Sequence, residues 1–245
     1  MKQNSDFKYW CIESDLDGIL YGIFIPLNLS EVEQTIDLSE NRHYEYALDV
    51  SYRLRCLHEG LVSLQVLQKM LMVRDYPIDL KKDVINRHEW FRITYDLILY
   101  RFTSLRDYAY QLTNSVFELN LSGLDVNLKK IKNKLSSSDS YLIDFLERIK
   151  DAGKNLRDER NVLAHEGAFS GIEDDELEIR KTLSIIEESD KQLAEDLIGF
   201  QDYYNLKFER LFKDLIIAGD NISQILNDFC DKIAPEFKQR FDMKQ

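Results

Sequence analysis

Leu54-Arg55-Cys56-Leu57-His58-Glu59-Gly60-Leu61-Val62-Ser63-Leu64-Gln65-Val66-Leu67 places a leucine at every third or fourth position. The series runs 54, 57, 61, 64, 67 and continues at Leu71, with Val66 beside it. Residues so spaced share one face of an α-helix, whereas a half-buried strand would alternate apolar and polar positions. A helix with one apolar stripe must bury it against something, and the neighbouring sequence supplies partners of the same kind. Pro77 is expected to end this first helix, because proline lacks the N–H that the ladder needs.

A second stripe follows in Ile98, Phe102, Leu105, Ala109, Leu112, Val116 and Leu119, and predicts a helix from about Glu89 to Leu121 with Gly123 as its stop. A short helix comes next. The polar break Ser136-Ser137-Ser138-Asp139 then offers side chains to cap another helix, whose stripe is Leu142, Phe145, Leu146 and Ile149. The last long helix, expected from about Asp202 to Asp231, carries Phe208, Leu211, Phe212, Leu215, Ile222, Ile225, Leu226 and Phe229. Four or more single-striped helices predict an all-α antiparallel bundle spanning residues 31–245. Low turn-former content agrees: 9 Gly and 3 Pro in 245 residues.

Residues 1–30 read differently, as an N-terminal extension. Phe7-Lys8-Tyr9-Trp10-Cys11-Ile12 and Ile19-Leu20-Tyr21-Gly22-Ile23-Phe24-Ile25 are aromatic and β-branched, and Asp15-Leu16-Asp17-Gly18 separates them. That pattern predicts a small β-hairpin closed by Pro26.

Composition narrows the function classes. A hydrophobic fraction of 44%, a charged fraction of 31% and a mean hydropathy of −0.38 describe a soluble globular chain. The longest uncharged run, from Gly18 to Ser30, has 13 residues, short of the ~20 a membrane helix needs. The first residues lack the basic-then-apolar order of a signal peptide, and Cys11, Cys56 and Cys230 form no disulfide or zinc pattern. A reduced, cytoplasmic protein is expected. The net charge is −12 with a pI near 4.9, which argues against general nucleic-acid affinity. The charge is uneven, however. Residues 81–165 hold 15 Lys and Arg against 12 Asp and Glu, leaving 17 against 32 for the remainder.

Several chemistries lack their motifs. No Gly-rich phosphate loop occurs, His43, His58, His88 and His165 never pair as HExxH, and there is no Gly-x-Ser-x-Gly. No metal site and no cofactor are expected. What remains is Arg157-Asp158-Glu159-Arg160-Asn161-Val162-Leu163-Ala164-His165-Glu166-Gly167. It resembles the HEPN superfamily, all-helical domains marked by Arg, four to six residues and His, usually with a polar residue after the Arg. Arg160, Asn161 and His165 fit that form. Leu105-Arg106-Asp107-Tyr108 is similar to helices flanking the motif in some subfamilies, and the resemblance covers residues 40 to 240. A second Arg-x4-His, Arg53 to His58, has apolar Leu54 in the polar slot and needs residues 54, 57 and 61 for its stripe. It reads as structural.

The resemblance implies a metal-independent endoribonuclease, toxin- or defence-related, that uses the RNA 2′-OH as nucleophile. Arg160, His165 and Asn161 are the implied catalytic residues. Histidine suits proton movement near neutral pH, and the guanidinium fork suits a charged phosphorus centre. On one regular helix Asn161 and His165 share a face, while Arg160 lies about 140° from His165. Either Arg160 sits at an irregular helix start, or two chains pool their motifs in the composite cleft of a homodimer, the arrangement the family implies. Arg157, Asn161 and His165 fall at i, i+4 and i+8, so Arg157 is the same-face cation. The expected RNA-binding residues are Arg157, Arg106, Lys129, Lys130 and Lys132. Homodimer, RNA and a neutralising protein are the expected partners. The alternatives are a non-catalytic module that dimerises or binds a nucleotide or partner, and a bundle with no ligand. The acidic charge favours the first of these, as does a motif whose nearest aromatic is Phe169.

Overall fold

The computed structural model describes residues 10–24, 42–71, 87–152, 154–156, 158, 161 and 191–244. Among them there is helix and no strand. The elements are α1 (Asp15–Phe24), α2 (Arg42–Leu71), α3 (Arg87–Val116), α4 (Leu128–Lys134), α5 (Tyr141–Ala152) and α6 (Lys191–Asp242), with short 3₁₀ turns at Gly123–Asp125 and Ser137–Asp139.

The leucine stripe does what its spacing requires. Leu54, Leu57, Leu61, Leu64, Leu67 and Leu71 are buried, while Val66 is half exposed and points away. Helix α2 packs most extensively on α3, and the pair is antiparallel. The Tyr46 hydroxyl near the start of α2 donates to the Val116 carbonyl at the end of α3 at 2.8 Å, and Trp90 Nε1 reaches back to the Met70 carbonyl at 3.1 Å. Gly60 lets the two helices close. A β-carbon there would lie 2.8 Å from Leu105 Cδ2. Helix α6 lies against α1, α2 and α5, and contributes Ile222, Leu226, Phe229 and Phe237 to the same core.

Two helices depart from the sequence reading at their ends. Helix α3 stops at Val116, because Glu118 and Asn120 adopt left-handed backbone (φ 49° and 54°). Asn114 bridges this reversal, accepting from Leu121 N at 3.0 Å and donating to the Leu121 carbonyl at 3.2 Å. Arg240 of α6 donates to the Phe117 carbonyl, and Lys244, just past the helix, pairs its Nζ with Glu118 Oε1 at 2.9 Å. Helix α6 in turn begins at Lys191, ahead of the expected Asp202, and runs past Asp231 and through Pro235 to Asp242. Proline removes one ladder bond there. Burial of Ile233, Ala234, Phe237 and Phe241 beyond or beside it offsets that loss.

The hairpin expected in residues 1–30 is not formed where the chain is described. Asp15-Leu16-Asp17-Gly18, read as its turn, is the first turn of α1, with Ser14 Oγ accepting from Asp17 N at 3.3 Å. Leu16 and Leu20, four apart, are buried together, so the apolar residues follow the helical rather than the strand period. Residues 7–9, Ile25 and Pro26 of that reading lie outside the described residues.

Ahead of α1, residues 10–14 form a strap over α6. Trp10 Nε1 donates to Asp220 Oδ1 at 2.7 Å, Glu13 N to Asn227 Oδ1 at 2.8 Å and Asp15 N to Asp231 Oδ1 at 2.8 Å. Asn227 Nδ2 also holds the Cys11 carbonyl at 3.0 Å. Trp10, Ile12, Leu16 and Leu20 belong to the same hydrophobic core as the long helices.

Candidate functional site

Basic side chains converge where α3, α4 and α5 meet. The Gly123–Asp125 turn delivers the chain to Asn127, whose extended backbone (φ −141°) and side chain start α4: Oδ1 accepts from Lys130 N at 3.1 Å and Nδ2 donates to the Leu124 carbonyl at 2.9 Å. Ile131 anchors α4 in the core and is fully buried. With that face inward, Lys129 and Lys132, three residues apart, stand on an outer face and share an exposed rim.

Across from them stands Arg106 of α3. Its Nε and Nη2 both donate to Asp107 Oδ1, at 2.9 and 2.7 Å, and its guanidinium carbon lies 5.9 Å from the centroid of the Tyr110 ring. A side chain held at two points keeps its charge in one place. Lys150 and Glu147 of α5 complete a cleft of about 520 Å³ floored by Val126 and Leu128. Four cationic groups face two carboxylates, in a chain whose total is −12. A second hollow of similar size, between the start of α2 and the end of the chain, mixes Arg42, Arg53 and Lys244 with Glu45, Asp49 and Glu118, and has no excess of either sign.

The residues singled out in the sequence divide accordingly. Arg106, Lys129 and Lys132 come together in the cleft. Lys130 does not line it, and its Nζ lies 3.9 Å from Asp125 Oδ1. Asn161 is helical and half-buried. Arg157, Arg160 and His165 lie outside the described residues. Lys150 and Glu147 were missed by sequence reasoning. They were legible as the outward positions beside the Leu146 and Ile149 stripe, three apart on one face of α5.

The earlier Arg-x4-His has a structural occupation. Arg53 Nε pairs with Asp49 Oδ1 at 3.4 Å, and His58 Nδ1 accepts from Ile12 N at 3.3 Å, tying the strap to α2. Among the cysteines, burial and the neighbouring Glu13 push the Cys11 thiol up to about 11, and burial pushes Cys230 up as well. Thiols so raised stay protonated near neutral pH and are poor nucleophiles. Among the described residues no group of three or more His, Cys, Asp or Glu is placed to hold a metal ion, and no helix is long and apolar enough to cross a membrane.

The family model of the Cthe2314-like HEPN domain matches residues 46–216. The chain belongs to the HEPN family. The match takes in nearly all of α2, the cleft-forming helices α3, α4 and α5, the Arg160–His165 motif and the first half of α6. The strap and the part of α6 that receives it fall outside the matched HEPN region. No curated protein and no solved structure matches the chain.

Proposed function

We propose that this HEPN chain is a metal-independent endoribonuclease of the toxin or defence kind, acting in the cytoplasm as a homodimer with a neutralising protein as partner. The observation that carries the reading is the motif itself: Arg160-Asn161 and His165, in the family's spacing, stand inside the matched region. In this reading His165 takes the proton from an RNA 2′-OH as that oxygen attacks the adjacent phosphorus. The bond from phosphorus to the 5′-oxygen breaks, and that oxygen receives a proton. The products are a 2′,3′-cyclic phosphate and a 5′-hydroxyl. Arg160 steadies the extra negative charge at phosphorus, and Asn161, four residues before His165, orients the histidine or a phosphate oxygen. The pairing of Arg160 with His165 is completed across the dimer, because on one regular helix the two would stand about 140° apart.

Incubating the protein with a single-stranded RNA and an excess of EDTA tests this. Fragments ending in a 2′,3′-cyclic phosphate are expected. Cleavage that appears only when magnesium is supplied overturns the mechanism. A second reading, a non-catalytic HEPN module that dimerises or binds a nucleotide or protein, is favoured by the −12 net charge, and intact RNA after prolonged incubation selects it.

A further inference from the structure

The α3–α4–α5 cleft brings cations from three helices to one hollow, and we infer that it grips the phosphate backbone of single-stranded RNA through Arg106, Lys129, Lys132 and Lys150. The inference rests on the ribonuclease reading for the identity of its ligand and on the cleft alone for the location. The four cations line one open hollow of about 520 Å³, room for a stretch of a polyanion and more than one small ion needs. Asp107 engages two of the five Arg106 N–H groups and Tyr110 lies beneath its guanidinium, so the fork is positioned before a phosphate arrives. The floor is apolar, with Val126 and Leu128 to meet a sugar face. Its aromatic residue, Tyr110, is buried and offers no stacking platform. The grip therefore reads the backbone and tolerates any base sequence.

Lys150 stands eleven residues ahead of Asn161 along the chain. The cleft is a holding site and does no chemistry.

The test is binding of a fluorescent single-stranded RNA oligonucleotide to His165→Ala protein, with Arg160→Ala as a second background, across a series of salt concentrations. The Lys129→Gln/Lys132→Gln/Lys150→Gln variant is expected to lose at least ~10-fold in affinity, as charged hydrogen bonds are removed. Its plot of log K against log salt should flatten by about 2, at ~0.7 per phosphate contact. Lys134→Gln/Lys213→Gln removes two exposed charges elsewhere and is expected to change neither quantity. Retained helix content and thermal midpoint show that each variant is folded. Equal affinity and slope in the cleft variant and its parent overturn the inference, and so does an equal loss in the control variant, which would mean general charge and no site. Cleft-dependent binding by a wild-type chain that never cuts would overturn the ribonuclease reading alone. Cleavage with cleft-independent binding would overturn the cleft alone.

Discussion

Trp10 and Gly219 fit as plug and socket: a β-carbon at residue 219 would overlap the indole ring, whose nitrogen meanwhile donates to Asp220. Only glycine leaves that space. Gly219→Ala is therefore expected to destabilise the fold by at least the ~1–3 kcal/mol of an overpacked core. Trp10→Ala should cost about 3–5 kcal/mol by emptying the socket. The double variant should be scarcely less stable than Trp10→Ala alone, since the clash needs both partners. Urea unfolding of the four proteins checks this, and strict additivity would contradict the fit.

Asn120 holds left-handed backbone at φ 54°, a conformation that asparagine and glycine accept and β-branched residues resist. Asn120→Val should lose about 1–3 kcal/mol. Asn120→Gly should stay much closer to the parent, because its lost hydrogen bond to the Glu118 carbonyl is exposed and its backbone is unstrained. Thermal midpoints of the two variants measure the difference.

Cys11 is raised from 9.0 to about 11 and Cys230 is raised from the same starting value. Both thiols ionise more readily in the unfolded chain, so folding is favoured fully below about pH 9 and progressively less as pH climbs through 11. A fall in thermal midpoint over that interval is expected, and a shallower fall in Cys11→Ala. Alkylation at pH 8 should mark half-buried Cys56 first, with Cys11 and Cys230 reacting on unfolding.

His58 and His165 should separate cleanly. His165→Ala and Arg160→Ala are each expected to slow RNA cleavage by ~10²–10⁴-fold with little change in thermal midpoint. His58→Ala removes the acceptor for Ile12 N–H, and should cost about 1 kcal/mol of stability while leaving cleavage intact. Parallel cleavage and melting measurements on the three variants decide it.

Periodicity made the long helices legible, because Leu54 through Leu71 and Ile98 through Val116 each repeat at the helical step. It failed where local pattern and tertiary context disagree. Ile19 and Ile23 are β-branched and read as strand, yet Leu16 and Leu20 are pulled into a helix by the face they bury. The last stripe was expected to end near Asp231, yet buried Phe237 and Phe241 keep the helix going through Pro235. Lys129, Lys132 and Arg106 were visible as basic residues, but no spacing could show that they meet, or that Lys130 turns toward Asp125. That knowledge needs the crossing of three helices.

The strap also orders events at the ribosome. Trp10 leaves it 209 residues before Gly219, and at ~5–20 residues per second the interval is roughly 10–40 s. Through that time a large indole and Leu16 and Leu20 have no lasting seat, while the helices of the matched HEPN region are already available to pair. Closure of the strap on α6 thus waits until Gly219 and Asp220 are made, and a product cut short within α6 would carry an exposed tryptophan.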